Sequence, residues 1–316
     1  MAAGASGAAP AAPPGIEADD LHRAFGEVKA VDGITFAAPA GAVTALIGPN
    51  GSGKTTLLLI LAGLLAPDSG SARVGGFDVV AENLAARSVV GWMPDAFGTW
   101  DALTCTEILS TFAHAYGISR SASPARVADL LEQLHLTEFA DRPARVLSRG
   151  QKQRLGLARA LVHDPSVVLL DEPASGLDPR SRVELRDLLR RLADAGKTVL
   201  VSSHILSELE ELYDHAVFLS SGRTVDVARA AQPAVASRGW RIEALDASGL
   251  RAFLDGAGIP WTAGPGTAEV TVALADYPSA SQLVRAAVGA GVDVHTIAPL
   301  SGRLEETYLA LNEERA

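Results

Sequence analysis

The chain has 316 residues, 48% hydrophobic and 20% charged, which is ordinary globular composition and length enough for two domains. A formal net charge of −10 excludes the basic surplus of a nucleic-acid or anionic-membrane binder, and the single cysteine, Cys105, excludes an internal disulfide. The longest apolar run, Leu57–Ala66, is far short of the roughly 20 residues that span a bilayer, so the chain is expected not to cross a membrane by itself.

Residues 1–15 contain only Met, Ala, Gly, Ser and Pro. They read as a disordered tail and lack the basic start and apolar centre of a secretory signal. From Ile16 to Ala38 two short strand-like segments flank Phe25-Gly26, an aromatic that either stacks on a base or fills the core. The apolar strand Ala42–Ile47 then runs into Gly48-Pro49-Asn50-Gly51-Ser52-Gly53-Lys54-Thr55-Thr56 and an apolar helix from Leu57. Strand, glycine-rich loop and helix in that order make a phosphate-binding loop. Its glycines aim successive N–H groups inward, and the helix start adds the positive end of a dipole. Lys54 reaches the outer phosphates, and the Thr55 hydroxyl stands where a bridging Mg2+ ion would sit. A plain glycine-rich turn into a buried helix accounts for the glycines and leucines but not for Lys-Thr at the helix start.

Further on, a strand over Ala72–Val80 ends near Asp78, and a short strand at Val89–Met93 leads into a loop centred on Asp95. Apolar residues then recur at helical spacing: Ile108, Leu109 and Phe112, followed by Val127, Leu130, Leu131 and Leu134. Ser123 reads as the cap of the second helix, ahead of a first-turn Pro124. Trp92, Phe97 and Trp100 crowd the entrance to this insertion, as core or as an exposed docking surface. Leu147-Ser148-Arg149-Gly150-Gln151 opens another helix with a serine cap and a glycine, a second anion site of the same physical kind. The buried run Ser166–Leu170 ends on Asp171-Glu172-Pro173. Adjacent residues of a strand point to opposite sides, so Asp171 is free to face Mg2+ and Glu172 a water. Ser175-Gly176-Leu177-Asp178-Pro179 turns into a helix over Arg180–Ala195, and the strand Thr198–Ser203 leaves His204 at its carboxyl end, where ligands bind in parallel sheets. A hairpin over His215–Val227 closes this region, and residues 231–239 read as a linker. Beyond it, strands at 240–245, 259–262, 269–274 and 292–297 alternate with helices at 250–256, 279–290 and 304–313, a small α+β domain of split βαβ style without a catalytic constellation.

The phosphate loop, Leu147 to Gln151, Asp171-Glu172-Pro173, Ser175 to Asp178 and the post-strand His204 together resemble the nucleotide-binding subunit of an ABC transporter, over about Ile16–Val227. That resemblance implies an α/β P-loop NTPase cassette: a RecA-like core with an antiparallel β-subdomain and a helical insertion at about 95–150, within a nucleotide-binding domain at 16–230. An accessory α+β domain follows at 240–316. It implies an ATPase using ATP and Mg2+. Carried over by position, Phe25 stacks on adenine, Gly48 to Thr56 hold phosphates and metal, Asp171 supports Mg2+, Glu172 acts as general base and His204 contacts the γ-phosphate. Ser148, Gly150 and Gln151 complete the site of a second subunit in a head-to-tail dimer with another copy or a paralogue, and Asp178 links the two sites. Asp95 stands where the family usually has a glutamine that touches Mg2+ and relays contact with the membrane subunit.

Finer similarity, in Asp171 to Pro179, Ser202 to Glu210 and the terminal Leu304-Glu305-Glu306-Thr307-Tyr308-Leu309, is to bacterial drug- or lipid-export subunits that pair with a separate permease. It implies a cytoplasmic protein held peripherally on the inner face of the membrane by that permease, with no nucleic-acid partner. The competing readings are an importer ATPase, a soluble ABC ATPase acting on the ribosome or DNA, and a nucleotide-gated module without turnover. The second usually carries two cassettes or a long coiled coil, and the third lacks a reason for Glu172 and His204.

Overall fold

The computed structural model describes residues 14–95, 98, 100–203, 213–225, 238–263, 269–274 and 277–299. The tail before residue 14, Phe97, His204, most of the expected linker and the final helix expected at 304–313 lie outside the described residues. The chain divides into two units, residues 1–225 and 226–316.

In the first unit, β1 (Pro14–Phe25) and β2 (Val28–Pro39) form an antiparallel hairpin around the Gly26 turn. The other edge of β1 pairs with β4 (Ser69–Val74), which pairs with β5 (Phe77–Asp78). The single strand expected over Ala72–Val80 is broken because Gly75 and Gly76 both take positive φ and turn the chain back on itself. The second sheet runs in the order β10 (Arg223–Val225), β9 (His215–Ser220), β3 (Val43–Ile47), β8 (Thr198–Ser203), β7 (Val167–Leu170), β6 (Val90–Met93). All its pairs are parallel except β9–β10. Every residue of β3, β7 and β8 is buried, as expected for central parallel strands covered on both faces.

The leucines of α1 (Lys54–Leu61) join the two sheets: Leu57, Leu58, Ile60 and Leu61 share one core with Ile16, Leu21 and Ile34 of the hairpin and Leu46, Leu169 and Leu200 of the parallel sheet. A helix not expected from the sequence, α2 (Asn83–Val89), buries only Ala86, too little apolar periodicity to read. The insertion contains α3 (Cys105–Ala115), started by a Thr104/Glu107 capping box, and α4 (Ser123–Gln133). Ser123 does not cap α4. The cap position is Ala122, without a side-chain bond, and Ser123 lies inside the first turn, where its buried hydroxyl has no partner among the described residues. Helices α5 (Arg149–Leu161) and α6 (Pro179–Asp194) follow.

The second unit contains β11 (Arg238–Ala244), α7 (Ala247–Gly256), β12 (Trp261–Ala263), β13 (Glu269–Leu274), α8 (Tyr277–Gly289) and β14 (Val294–Pro299). Its antiparallel sheet has the order β12-β13-β11-β14, the split βαβ arrangement. Alternate residues Trp240, Ile242 and Ala244 of β11 face Leu250 and Leu254 of α7 and Leu283 of α8 in its core. Helix α7 starts three residues before the expected Leu250 because Asp246 caps it, accepting from the Ser248 N–H at 2.9 Å.

Candidate functional site

Four strands of the parallel sheet deliver the site, all at their carboxyl ends, where open α/β sheets bind ligands. Strand β3 releases the glycine-rich loop, β7 releases Asp171 and Glu172, β8 lies between them and ends on Ser202-Ser203, and β6 leads to Asp95.

The loop is shaped by close approaches that only glycine permits. A Cβ on Gly48 would strike the Leu219 carbonyl, and one on Gly53, at φ 99°, would strike the Ala30 carbonyl. Helix α1 then begins without a side-chain cap and without an acid in its first turn, so its leading N–H groups are left for an anion. The Lys54 ammonium is buried and donates to the loop carbonyls of Gly48 at 2.7 Å and Pro49 at 3.2 Å. Burial pulls its pKa below the usual lysine value, while the nearby Glu172 and Asp171 carboxylates oppose that shift. Ser52 Oγ is buried and has no hydrogen-bond partner among the described residues. An uncapped helix start, a buried cation and an orphaned hydroxyl around one loop fit a polyphosphate.

Thr55 and Asp171 meet: Thr55 Oγ1 donates to Asp171 Oδ2 at 2.7 Å. A hydroxyl and a carboxylate are hard oxygen donors suited to Mg2+. The other oxygen, Asp171 Oδ1, accepts from Ser202 Oγ at 2.6 Å, and that hydroxyl accepts from the Glu172 N–H at 3.0 Å. Asp171 also ties β7 to β6, donating its N–H to the Met93 carbonyl at 2.9 Å. Glu172 leaves the strand with φ 51°, a left-handed conformation that costs a non-glycine residue about 1–3 kcal/mol. Both residues lie beyond Leu170, the last residue of β7, so the direction of Glu172 is set by this bend and not by strand alternation.

The second anion element keeps the expected cap. Ser148 Oγ accepts from the Gln151 N–H at 3.3 Å and Gln151 Oε1 accepts from the Ser148 N–H at 2.8 Å, a reciprocal capping box. Gly150 lies in the first turn, against Leu177. Asp178 caps α6, accepting from the Ser181 N–H at 3.0 Å and from Ser181 Oγ at 2.7 Å, and these bonds hold its carboxyl below the usual range. Phe25 is 50% exposed, with the Arg23 guanidinium 5.0 Å from its ring centre, so it does not fill the core. Asp95 is exposed, in the loop that leaves β6.

Two residues of the site were not singled out in the sequence. Ser202 is a fully buried polar residue near the carboxyl end of β8, and Gln153 is a polar residue on the buried face of α5, in line with Leu157 and Leu161. A polar side chain at an apolar register position is the signal that would have found both.

Comparison with known proteins agrees with this geometry. The family profile described as ABC transporter matches residues 31–175. Nod factor export ATP-binding protein I of Paraburkholderia xenovorans (strain LB400) is 40% identical over 210 residues, 66% of this chain and 69% of that protein. The chain belongs to the ATP-binding subunits of ABC transporters. Daunorubicin/doxorubicin resistance ATP-binding protein DrrA of Streptomyces peucetius is 38% identical over 210 residues, 66% of this chain and 64% of that one. A solved ATP binding subunit of an ABC transporter superposes with TM-score 0.61 at 29% identity, covering 66% of this chain and 87% of that one. The ADP conformation of another ABC transporter's ATP-binding cassette gives 0.59 at 27% identity, covering 67% and 90%. The subunit is therefore an ATP-hydrolysing cassette of export type. Among the described residues of this ABC subunit, no helix is long and apolar enough to cross a membrane.

Proposed function

We propose that this subunit powers export through a separate membrane permease by closing two cassettes head to tail on ATP. Thr55 and Asp171 would hold Mg2+, which would supply charge neutralisation at the phosphates. Gly48, Pro49, Asn50, Gly51, Ser52, Gly53 and Thr56 wrap the phosphates, Lys54 pairs with the outer ones, and exposed Phe25 stacks on adenine. Glu172 takes the proton of the attacking water, and His204 contacts the γ-phosphate. Asp95, exposed in the loop after β6, would be a further oxygen donor to the metal. Ser148, Gly150 and Gln151 act on the nucleotide of the opposite copy, and Asp178 links the two sites through the loop it anchors on α6. The relatives are named for export of Nod factor and resistance to daunorubicin and doxorubicin, which supports a drug- or lipid-like cargo. The subunit then sits peripherally on the cytoplasmic face of the membrane.

For the permease, the docking surface proposed is the aromatic depression between core and insertion, lined by Leu64, Trp92, Phe112 and Tyr116 with Arg87 and Arg159. Beside it, Trp100 is 51% exposed and stacks on Phe112 with ring centres 5.7 Å apart.

The observation that carries this reading is the Thr55–Asp171 hydrogen bond, which joins the phosphate loop to the acidic strand end across β8. The test is Glu172→Gln: removal of a general base lowers kcat by about 10²–10⁴ while ATP still binds. Hydrolysis at the unaltered rate would remove Glu172 from the mechanism.

A further inference from the structure

The Glu172 backbone departs from ordinary geometry twice. Its φ of 51° is left-handed, and it precedes Pro173, which drives the residue before it towards extended conformations. Two side chains hold it there from opposite sides. Ser202, from β8, accepts the Glu172 N–H at 3.0 Å, and Gln153, from α5, donates through Nε2 to the Glu172 carbonyl at 3.2 Å. Ser202 is 0% and Gln153 7% exposed, so water does not readily replace either bond.

The Gln153 side chain has no other hydrogen bond among the described residues. It lines a cavity of about 200 Å³ in which Met93, Leu157, Pro173 and Leu177 stand beside polar groups such as Arg154 and Glu184, none of which it bonds. A buried amide loses water, and its one partner offsets that loss. That bond ends on the peptide that sets the direction of the Glu172 side chain.

We propose that Gln153 is a positioning residue for hydrolysis: with Ser202 it clamps the Glu172 backbone in the left-handed conformation that aims the carboxylate. The inference rests on Glu172 being the general base. Because Gln153 lies on α5, five residues after Ser148, the placement of that helix is felt directly at the base. The helix that presents Ser148, Gly150 and Gln151 to one nucleotide thereby also orients the carboxylate that acts on the other.

The test uses the full chain with ATP and Mg2+. Gln153→Met keeps length and volume and removes the donor; Gln153→Glu keeps shape and turns an acceptor on the carbonyl. Small misplacements of a reacting group cost up to about 10²-fold, so kcat is expected to fall about tenfold in Gln153→Met and at least as far in Gln153→Glu. Affinity for mant-ATP and the melting temperature stay close to those of the unaltered chain. A structural defect would also slow a chain that has no base, so the deciding readout is the double variant. Gln153→Met added to Glu172→Gln leaves the residual rate unchanged, because no carboxylate remains to aim. Full kcat in both single variants, or the same tenfold loss in the Glu172→Gln background, overturns the inference. Unaltered hydrolysis by Glu172→Gln alone overturns the assignment of the base, and the inference with it, and that is read before any Gln153 variant is made.

Discussion

His163 joins the parallel sheet to the helical insertion, and its titration should set how stability responds to acid. Its ring stacks on Tyr116 of the α3 C-cap, centres 3.7 Å apart and planes within 2°, and Nε2 meets the Val90 carbonyl of β6 at 3.1 Å. Burial holds its pKa down to about 4 from the ordinary 6.5, outweighing the opposing Val90 hydrogen bond, while Arg126 and Lys197 add to the depression and Asp164 opposes it. The unfolded chain therefore takes up a proton between pH 6.5 and about 4 that the folded chain refuses. Stability from this group is complete above pH 6.5 and declines as pH falls through that window. The loss amounts to about 2 kcal/mol by pH 5 and about 3 kcal/mol below pH 4. His163→Phe keeps an aromatic ring for Tyr116, abolishes the titration and forfeits the Val90 hydrogen bond, worth about 1 kcal/mol. The variant should be about 1 kcal/mol less stable than the parent at pH 7 and about 1 kcal/mol more stable at pH 5, with the two curves crossing between. Urea unfolding at both pH values, followed by far-UV circular dichroism, measures this. An equal stability difference at pH 7 and pH 5 would refute the assignment of a half-buried, neutral His163.

Phe25→Ala should change unfolding stability by less than about 0.5 kcal/mol, because the ring is half exposed, yet weaken mant-ATP binding about tenfold by removing a stacking partner; undiminished affinity would leave Phe25 without a nucleotide role. Ser148→Ala removes the α5 cap at about 1 kcal/mol and should stop hydrolysis. Mixing it with Lys54→Met should restore activity, since one of the two composite sites then has both an intact Lys54 and an intact Ser148; a mixture no better than the average of the two variants would argue against sites shared between copies. Asp95→Gln should raise the Mg2+ concentration needed for half-maximal hydrolysis about threefold, and an unchanged Mg2+ titration would make Asp95 only a loop acid.

Much of the site was legible because phosphate chemistry imposes local order. The nine residues Gly48–Thr56 sit between an apolar strand and an apolar helix, and a cradle of consecutive N–H groups needs its residues consecutive in sequence. Ser148 as a cap and Asp171-Glu172 at a strand end are equally local statements, and each has its expected place. The helical periods of α3 and α4 likewise marked their buried faces. Where sequence signals were weak, the reading slipped. The Gly75-Gly76 turn, the nearly core-free α2 and the displaced α4 cap all depend on contacts that periodicity does not record.

Only the tertiary structure decided which distant residues meet. Strand order places β8 between β3 and β7, so Ser202 reaches Asp171 and Glu172 from a strand about 30 residues away in the chain. The packing of α5 behind the same bend brings Gln153 to the Glu172 carbonyl. Exposure, too, settled the two readings of Phe25 against the core. The sequence by itself marked the loop and the acidic pair, because each is a run of consecutive residues. The aim of the carboxylates depended on long-range hydrogen bonds, which no spacing along the chain specifies because they form only when the strands are laid side by side.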